Sequence, residues 1–187
     1  NEIAGTIPSD IAQLQHLEHL DLGYNFLTGM LPMELRLVTS LKALSLQNNI
    51  VTGAVFEDYA SAWPGLERLN IDNTRLSGSI PSNVITQWKD SMLYLNIDRN
   101  GFSGSLPSEI GELTKLTTLV IFGNELQGSF PDIGRLTDLS KYYEHSSRLD
   151  HVSHISFLLV TEYLQVQGNS ITGTIPATVD RLESLAE

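Results

Sequence analysis

One short pattern repeats along the chain of 187 residues and constrains its fold more than any other feature. The stretch from Leu17 to Pro32 shows it in full: three aliphatic positions, an asparagine, a further aliphatic residue, a glycine, and an aliphatic residue followed by proline. The asparagine position, which we call the anchor, recurs after 24, 25, 26, 24 and then 45 residues, at Asn25, Asn49, Thr74, Asn100, Asn124 and Asn169. Five copies of this pattern, the second with Phe56 in place of proline, indicate a repeat protein.

Each position of the pattern has a physical role. The leucine-rich segment predicts a short strand whose alternate side chains enter a core shared between stacked coils, because one repeat cannot bury this face alone. The anchor amide is predicted to turn inward and bond the backbone of adjacent coils, with fewer hydrogen bonds where Thr74 replaces asparagine. The glycine allows a tight bend, and the proline ends strand pairing and starts an outer segment.

The pattern resembles the plant-type leucine-rich repeat, as in Leu17 to Pro32 and Leu66 to Pro81. That family includes receptor-like kinase ectodomains, receptor-like proteins and polygalacturonase inhibitors. The resemblance implies an α/β solenoid, a right-handed superhelix with a concave parallel β-sheet and convex short helices or 3₁₀ turns. We predict one leucine-rich-repeat domain over residues 1–187, with about six or seven coils, and interpret it as a fragment because both ends lie within the pattern.

The pattern fails between Asn124 and Asn169. One interpretation is a degenerate coil, which would bury Glu144 at an aliphatic position. The other is an insertion over residues 141–162, whose removal restores the pattern and leaves an anchor step of 45 − 22 = 23 residues. Since the codons at both ends of this stretch can resemble splice sites, one hypothesis is a retained intron. Transcript reads running unbroken through these codons would exclude it.

Charge and composition exclude several classes of partner. The 22 acidic side chains outnumber the 11 basic ones, for a net charge of −11. Such a surface repels phosphate backbones and anionic lipid head groups, so we predict no nucleic-acid partner and no direct membrane contact. The chain has no cysteine, which excludes disulfides, thiol nucleophiles and thiolate metal ligands.

No catalytic residue, metal site or cofactor is predicted from the sequence. The histidines of the irregular stretch, His145, His151 and His154, have spacings that match no established ligand motif. Asp72 and Asp98 recur at equivalent positions of neighbouring coils, where their proximity follows from the repeat itself. We therefore interpret them as a solvated acidic strip rather than as a glycosidase pair or a calcium site.

The candidate binding residues lie on the strands of the third to fifth copies, between the core leucines, where side chains face the concave surface. They combine polar and acidic side chains with an apolar and aromatic patch, which is how binding hot spots are composed. The candidates are Arg68, Asn70, Asp72, Tyr94, Asn96, Asp98, Thr118, Val120 and Phe122. The alternative for the patch is local packing against the irregular segment.

The resemblance implies a function in recognition. The expected role is protein–protein or protein–ligand binding through the concave face, as the ligand-binding part of a receptor-like protein, with any kinase outside this segment. The expected partner is another protein or a peptide, and a carbohydrate-associated ligand is a further option. The expected location is the extracellular side of the plasma membrane or the secreted fraction. A secreted hydrolase inhibitor and a cytoplasmic assembly scaffold are the alternatives.

Overall fold

The leucine-rich segments form one parallel sheet in the computed structural model, which describes residues 1–59, 61–139, 164–174 and 176–181. The strands of this first sheet, numbered along the chain, are β2 (His19–Asp21), β4 (Ala43–Ser45), β6 (Arg68–Asn70), β8 (Tyr94–Asn96), β10 (Thr118–Val120) and β12 (Leu164–Gln165). Neighbouring strands pair in register through their central leucines, Leu20, Leu44, Leu69, Leu95, Leu119 and Leu164. The predicted solenoid fold is therefore confirmed.

A second parallel sheet follows the anchors, where the sequence predicted only a bend. Its strands are β1 (Ala4–Gly5), β3 (Phe26–Met30), β5 (Ile50–Gly53), β7 (Arg75–Gly78), β9 (Gly101–Ser105), β11 (Glu125–Ser129) and β13 (Ser170–Thr172). The pattern glycines still bend the chain, as at Gly53 with φ 114°. The sheet forms because coils stacked in step bring successive backbone segments within pairing distance, whatever their side chains.

Among the described residues, short helices occupy the outer side of six coils, while residues 131–139 have only turns. Four are 3₁₀ helices, at Ser9–Gln13, Met33–Leu37, Ser108–Glu112 and Ala177–Arg181, and two are α-helices, α1 (Val55–Asp58) and α2 (Ser82–Gln87). Pro32 and Pro81 precede two of them with φ of −68° and −77°. Proline thus starts the outer segments as predicted, because its fixed φ suits the first helical turn and its missing N–H ends strand pairing.

The aliphatic positions of the pattern build one continuous core. Leu44, Leu69 and Leu119 are at most 1% exposed, and the pattern leucines from Leu17 to Leu126 belong to the same cluster or pack against it. Trp63 and Trp88 close this core on the outer side and are 2% and 1% exposed. Among the described residues, no helix is both long and apolar enough to cross a membrane.

The coil that ends at Asn169 stacks directly on the coil that ends at Asn124. Leu164 in β12 pairs with Leu119 in β10, and β13 pairs with β11. The Oδ1 atom of Asn169 accepts a hydrogen bond from the Leu126 backbone N–H at 3.0 Å, the same bond that other anchors make to the preceding coil. Residues 141–162 themselves lie outside the described part of the chain.

Candidate functional site

The register of the first sheet brings the nine candidate residues together in three rows. Arg68, Tyr94 and Thr118 are paired across β6, β8 and β10. Asn70, Asn96 and Val120 form the next row of the same strands. The third row continues beyond the strand ends, where backbone hydrogen bonds between coils carry the same register and align Asp72, Asp98 and Phe122.

The nine candidate residues form one surface, which we call the face. The anchors lie just behind it and connect neighbouring coils. The Nδ2 atom of Asn49 donates to the carbonyls of Leu22 and Leu46 at 2.9 Å each, while its Oδ1 accepts from the Leu27 N–H at 2.9 Å. Asn25, Asn100, Asn124 and Asn169 make equivalent bonds. Thr74 offers its hydroxyl to the Ile71 carbonyl of its own coil and to Asn100. The anchors therefore hold the strand ends that present the candidate residues.

An arginine guanidinium lies over each of the two aromatic rings of the face, Tyr94 and Phe122. The Arg68 guanidinium carbon lies 4.9 Å from the centre of the Tyr94 ring, and that of Arg99 lies 5.0 Å from the centre of the Phe122 ring. Both distances suit a cation–π contact. Phe122 and Val120 are half-buried. The apolar patch expected from the sequence is therefore covered in part by two cations.

A polar network occupies the centre of the face. The Nδ2 atom of Asn96 donates to Asp72 and to the Tyr94 hydroxyl, both at 3.4 Å, and its Oδ1 accepts from the Asp98 backbone N–H at 3.2 Å. The Oδ1 atom of Asn70 is buried and makes no hydrogen bond among the described residues. A buried acceptor without a donor is unfavourable.

The two aspartates are not the solvated strip expected from the sequence. Asp98 is only 4% exposed, and Asp72 is half-buried. Burial, followed by the nearby Asp72 carboxylate, raises the pKa of Asp98 to about 6, against the lowering influence of Arg99. Burial also raises the pKa of Asp72. The expectation was wrong because the stacked coils bury this row, with Phe122 aligned beside Asp98 in the next coil and Arg99 beside it in the same coil.

Arg99 is a residue of the face that the sequence analysis missed. It directly precedes the anchor Asn100, and its side chain is 60% exposed. Its φ of 49° lies in the left-handed region, and the residues before other anchors share this conformation: Tyr24, Asn48, Asn73, Gly123 and Gly168. Asparagine and glycine favour that region, so their recurrence here was the available signal. The left-handed turn places Arg99 among the face residues, at a position that the alternation rule for strands does not cover.

Among the described residues, no group of three or more histidine, cysteine or acidic side chains is arranged to hold a metal ion. His145, His151 and His154 lie outside that part of the chain. The face is a mixed surface of two carboxylates, two guanidiniums, amides and rings.

Comparison with known proteins agrees with this architecture. The family described as Leucine Rich Repeat matches residues 16–37, 65–86 and 91–113. Receptor-like protein kinase 7 of Arabidopsis thaliana is 43% identical over 60 residues, which are 32% of this chain and 6% of that protein. The chain therefore corresponds to a small part of this relative.

Solved structures show the same arrangement over almost the whole chain. The leucine-rich-repeat ectodomain of the receptor kinase GASSHO1/SCHENGEN3 from Arabidopsis thaliana is 28% identical, with a TM-score of 0.75, over 98% of this chain and 19% of that one. The Arabidopsis receptor kinase HAESA is 28% identical, with a TM-score of 0.73, over 98% of this chain and 31% of that one. Stacked coils and an anchor ladder define a leucine-rich-repeat solenoid. The chain has this fold and is similar to plant leucine-rich-repeat receptor proteins.

Proposed function

We propose that this chain is a ligand-recognition segment of a receptor-like protein and binds a peptide or protein on its first sheet, around Val120 and Phe122. The observation that carries the proposal is the juxtaposition of these half-buried apolar side chains with an incompletely bonded polar network on one rigid sheet. Apolar side chains surrounded by polar groups are typical of binding hot spots. The strands and anchors fix these side chains, so the binding of a ligand costs little of their conformational entropy.

The related structures support the class of ligand. The GASSHO1/SCHENGEN3 ectodomain is described in complex with CASPARIAN STRIP INTEGRITY FACTOR 2, and HAESA in complex with the peptide hormone IDA and the co-receptor SERK1. A short peptide is therefore the first ligand to test. The inhibitor and scaffold alternatives would instead require a folded partner.

The experiment selects short random peptides by display on the immobilised chain and measures their dissociation constants by calorimetry. The double variant Val120→Ser, Phe122→Asp should weaken the binding of the selected peptides about tenfold or more, because it removes the apolar contact surface. The matched control is Phe26→Asp with Ile50→Ser, an apolar pair that is 57% and 39% exposed on the second sheet.

The control should bind the peptides like the unchanged chain, and circular dichroism should show that both variants fold. Equal binding by the Val120 and Phe122 variant would overturn the proposal. A selection that enriches no peptide above the bare support would overturn it as well.

A further inference from the structure

Glycine follows asparagine at one place in the chain, Asn100–Gly101. Asn100 is the fourth anchor, and the residues that follow the other anchors all carry side chains: Phe26, Ile50, Arg75, Glu125 and Ser170. Asparagine is a chemically labile residue, and its amide is most accessible to its own backbone when the next residue has no Cβ atom. The chain therefore has its one Asn–Gly pair at a position that connects two coils.

The reaction of such a pair is an intramolecular displacement. The backbone nitrogen of Gly101 attacks the side-chain carbonyl carbon of Asn100, which forms a C–N bond and closes a succinimide ring. The side-chain amide nitrogen leaves as ammonia and takes up the proton that the Gly101 nitrogen loses. Water then opens the ring at one of its two carbonyls and yields aspartate or isoaspartate. Because the two reacting groups belong to neighbouring residues, the reaction needs no other reactant than water.

The folded chain holds the Asn100 side chain in place. Its Nδ2 atom donates to the carbonyls of Ile71, Ile97 and Asp98 at 2.7, 3.1 and 3.0 Å. Its Oδ1 atom accepts from the Leu76 backbone N–H at 3.2 Å and from the hydroxyl of the preceding anchor. The side chain has to break these bonds before it can rotate towards the next backbone nitrogen, so the stacking of the coils suppresses the reaction.

The attacking backbone is fixed as well. Gly101 begins β9 and is paired with Ser77 of β7 in the second sheet. Closure of the succinimide ring would draw the Gly101 nitrogen out of this pairing and towards Asn100. The attack is therefore open only while the coils around Asn100 are separated, through local or global unfolding.

We propose that Asn100–Gly101 is a deamidation site that is closed in the stacked solenoid, reacts when these coils separate, and yields a product that prevents them from stacking again. An aspartate carboxylate at neutral pH accepts hydrogen bonds and donates none. The carbonyls of Ile71, Ile97 and Asp98 would lose their donor and meet a negative charge instead. Isoaspartate also lengthens the backbone just before β9 and so disturbs its register with β7. The modification thus makes unfolding of this segment irreversible.

The first experiment measures deamidation by mass spectrometry of tryptic peptides. Trypsin cleaves after Arg99 and Lys115, and the peptide 100–115 contains one asparagine and no glutamine, so its deamidation reports on Asn100 alone. The chain is incubated folded, in sodium chloride, and unfolded, in guanidinium chloride of equal concentration. Deamidation should be at least about tenfold faster in the unfolded chain, because the closed segment opens only rarely. Equal rates in the two states, or no reaction in either, would overturn the inference.

The matched control is Gly101→Ser, which copies the Ser170 that follows a later anchor. A Cβ atom at Gly101 would lie 3.4 Å from its nearest neighbours, the Leu76 carbonyl oxygen and the Ser77 Cβ atom, which is van der Waals contact. This variant should fold normally and deamidate about tenfold more slowly when unfolded, because the side chain hinders the attack.

Refolding then tests the consequence of the reaction. Both chains are kept in guanidinium chloride for increasing times and diluted into buffer, and circular dichroism gives the fraction that refolds. That fraction should fall in step with deamidation of the peptide 100–115 in the unchanged chain and stay high in Gly101→Ser. A yield that falls equally in both chains would overturn the inference, because the loss would then have another origin.

A direct substitution isolates the aspartate product. Asn100→Asp should lower the urea midpoint or abolish the cooperative transition, since it introduces the carboxylate without isoaspartate. Asn83→Asp makes the same change of charge at an exposed position of α2 and should leave the midpoint unchanged. An Asn100→Asp chain as stable as the Asn83→Asp control would show that the stack tolerates the product, contrary to the inference.

Discussion

Asp98 occupies the repeat position that Gln47, Asp72 and Phe122 occupy in other coils, two residues before the anchor. At this position the side chains of neighbouring coils lie side by side, and Arg99, which lies over the Phe122 ring, is 3.8 Å from the carboxyl group. A residue that would be solvated on an isolated strand is therefore 4% exposed in the stack. The environment of the residue is set by its neighbours 24 to 26 residues away.

This burial predicts how stability depends on pH. A carboxyl group whose folded-state pKa is raised, here from 3.8 to about 6, stabilises the folded state below about pH 4 and loses that contribution as the pH rises through about 6. Asp98→Asn imitates the neutral form, so it should raise the free energy of unfolding at pH 7 by up to about 3 kcal/mol. Near pH 3.5 the gain should vanish.

Urea unfolding at the two pH values measures this difference. The matched control Glu125→Gln neutralises an exposed carboxylate and should stay within about 0.5 kcal/mol at both. A variant Asp98→Asn that is less stable than the unchanged chain at pH 7 would show that the ionised carboxylate is stabilised by its surroundings, contrary to the argument.

The sequence predicts positions on the face but not their environment. Alternation along a strand places Tyr94, Asn96, Val120 and their neighbours on one surface, because side chains of a strand alternate between its two faces. It does not reveal that Arg99 lies over Phe122, since that contact depends on a left-handed residue outside the strand. Nor does it reveal that Asp98 is buried, because burial depends on how the side chains of three coils pack together.

At the scale of elements, the first sheet was predictable and the second was not. The first sheet has a period-two pattern of leucines that any strand with one buried face requires. The second sheet has segments such as Arg75–Gly78, in which a single leucine is buried and glycine ends the strand. Such a segment favours a bend when considered alone, and it becomes a strand only because its neighbours stack in step.

The outer elements are held by an aromatic cluster that spans several coils. Trp63 stacks on Tyr59 with ring centres 5.1 Å apart, and Phe56 meets Trp88 edge-on at 6.1 Å. The Trp88 Nε1–H donates to the Trp63 carbonyl at 3.0 Å, so this tryptophan bonds to the preceding coil as well as filling space. These contacts fix the longest outer segments against the core.

Replacing Trp88 by alanine should therefore destabilise the chain strongly. Trp88 is 1% exposed, and Trp88→Ala leaves a cavity and removes the hydrogen bond to the Trp63 carbonyl, which together reduce the free energy of unfolding by about 3–5 kcal/mol. The neighbouring exposed residue supplies the control, Lys89→Ala, with an expected change within about 0.5 kcal/mol. Urea unfolding followed by circular dichroism compares them, and a loss below about 1 kcal/mol for Trp88→Ala would contradict the role of the cluster.

At the scale of the whole molecule, each coil depends on the coil next to it in space. The pairing of β10 with β12 and of β11 with β13 makes the coil at Asn169 the neighbour of the coil at Asn124, although 45 residues separate their anchors. The same register follows from deleting residues 141–162 from the sequence pattern. A solenoid tolerates extra residues only where they leave the stacking intact, so the insertion remains a prediction from periodicity.

Deleting residues 141–162 tests this directly. Leu139 is fully buried and Leu164 pairs with Leu119, so the ends to be joined already hold the positions that the pattern requires. If the stretch is an insertion, the shortened chain should unfold cooperatively and gain up to about 3 kcal/mol, because the entropy of closing a long connection is no longer lost. Replacing the stretch by glycine and serine residues of equal length is the control and should leave stability within about 1 kcal/mol of the original. A shortened chain that loses cooperative unfolding, measured by urea titration, would instead assign these residues a place in the stack.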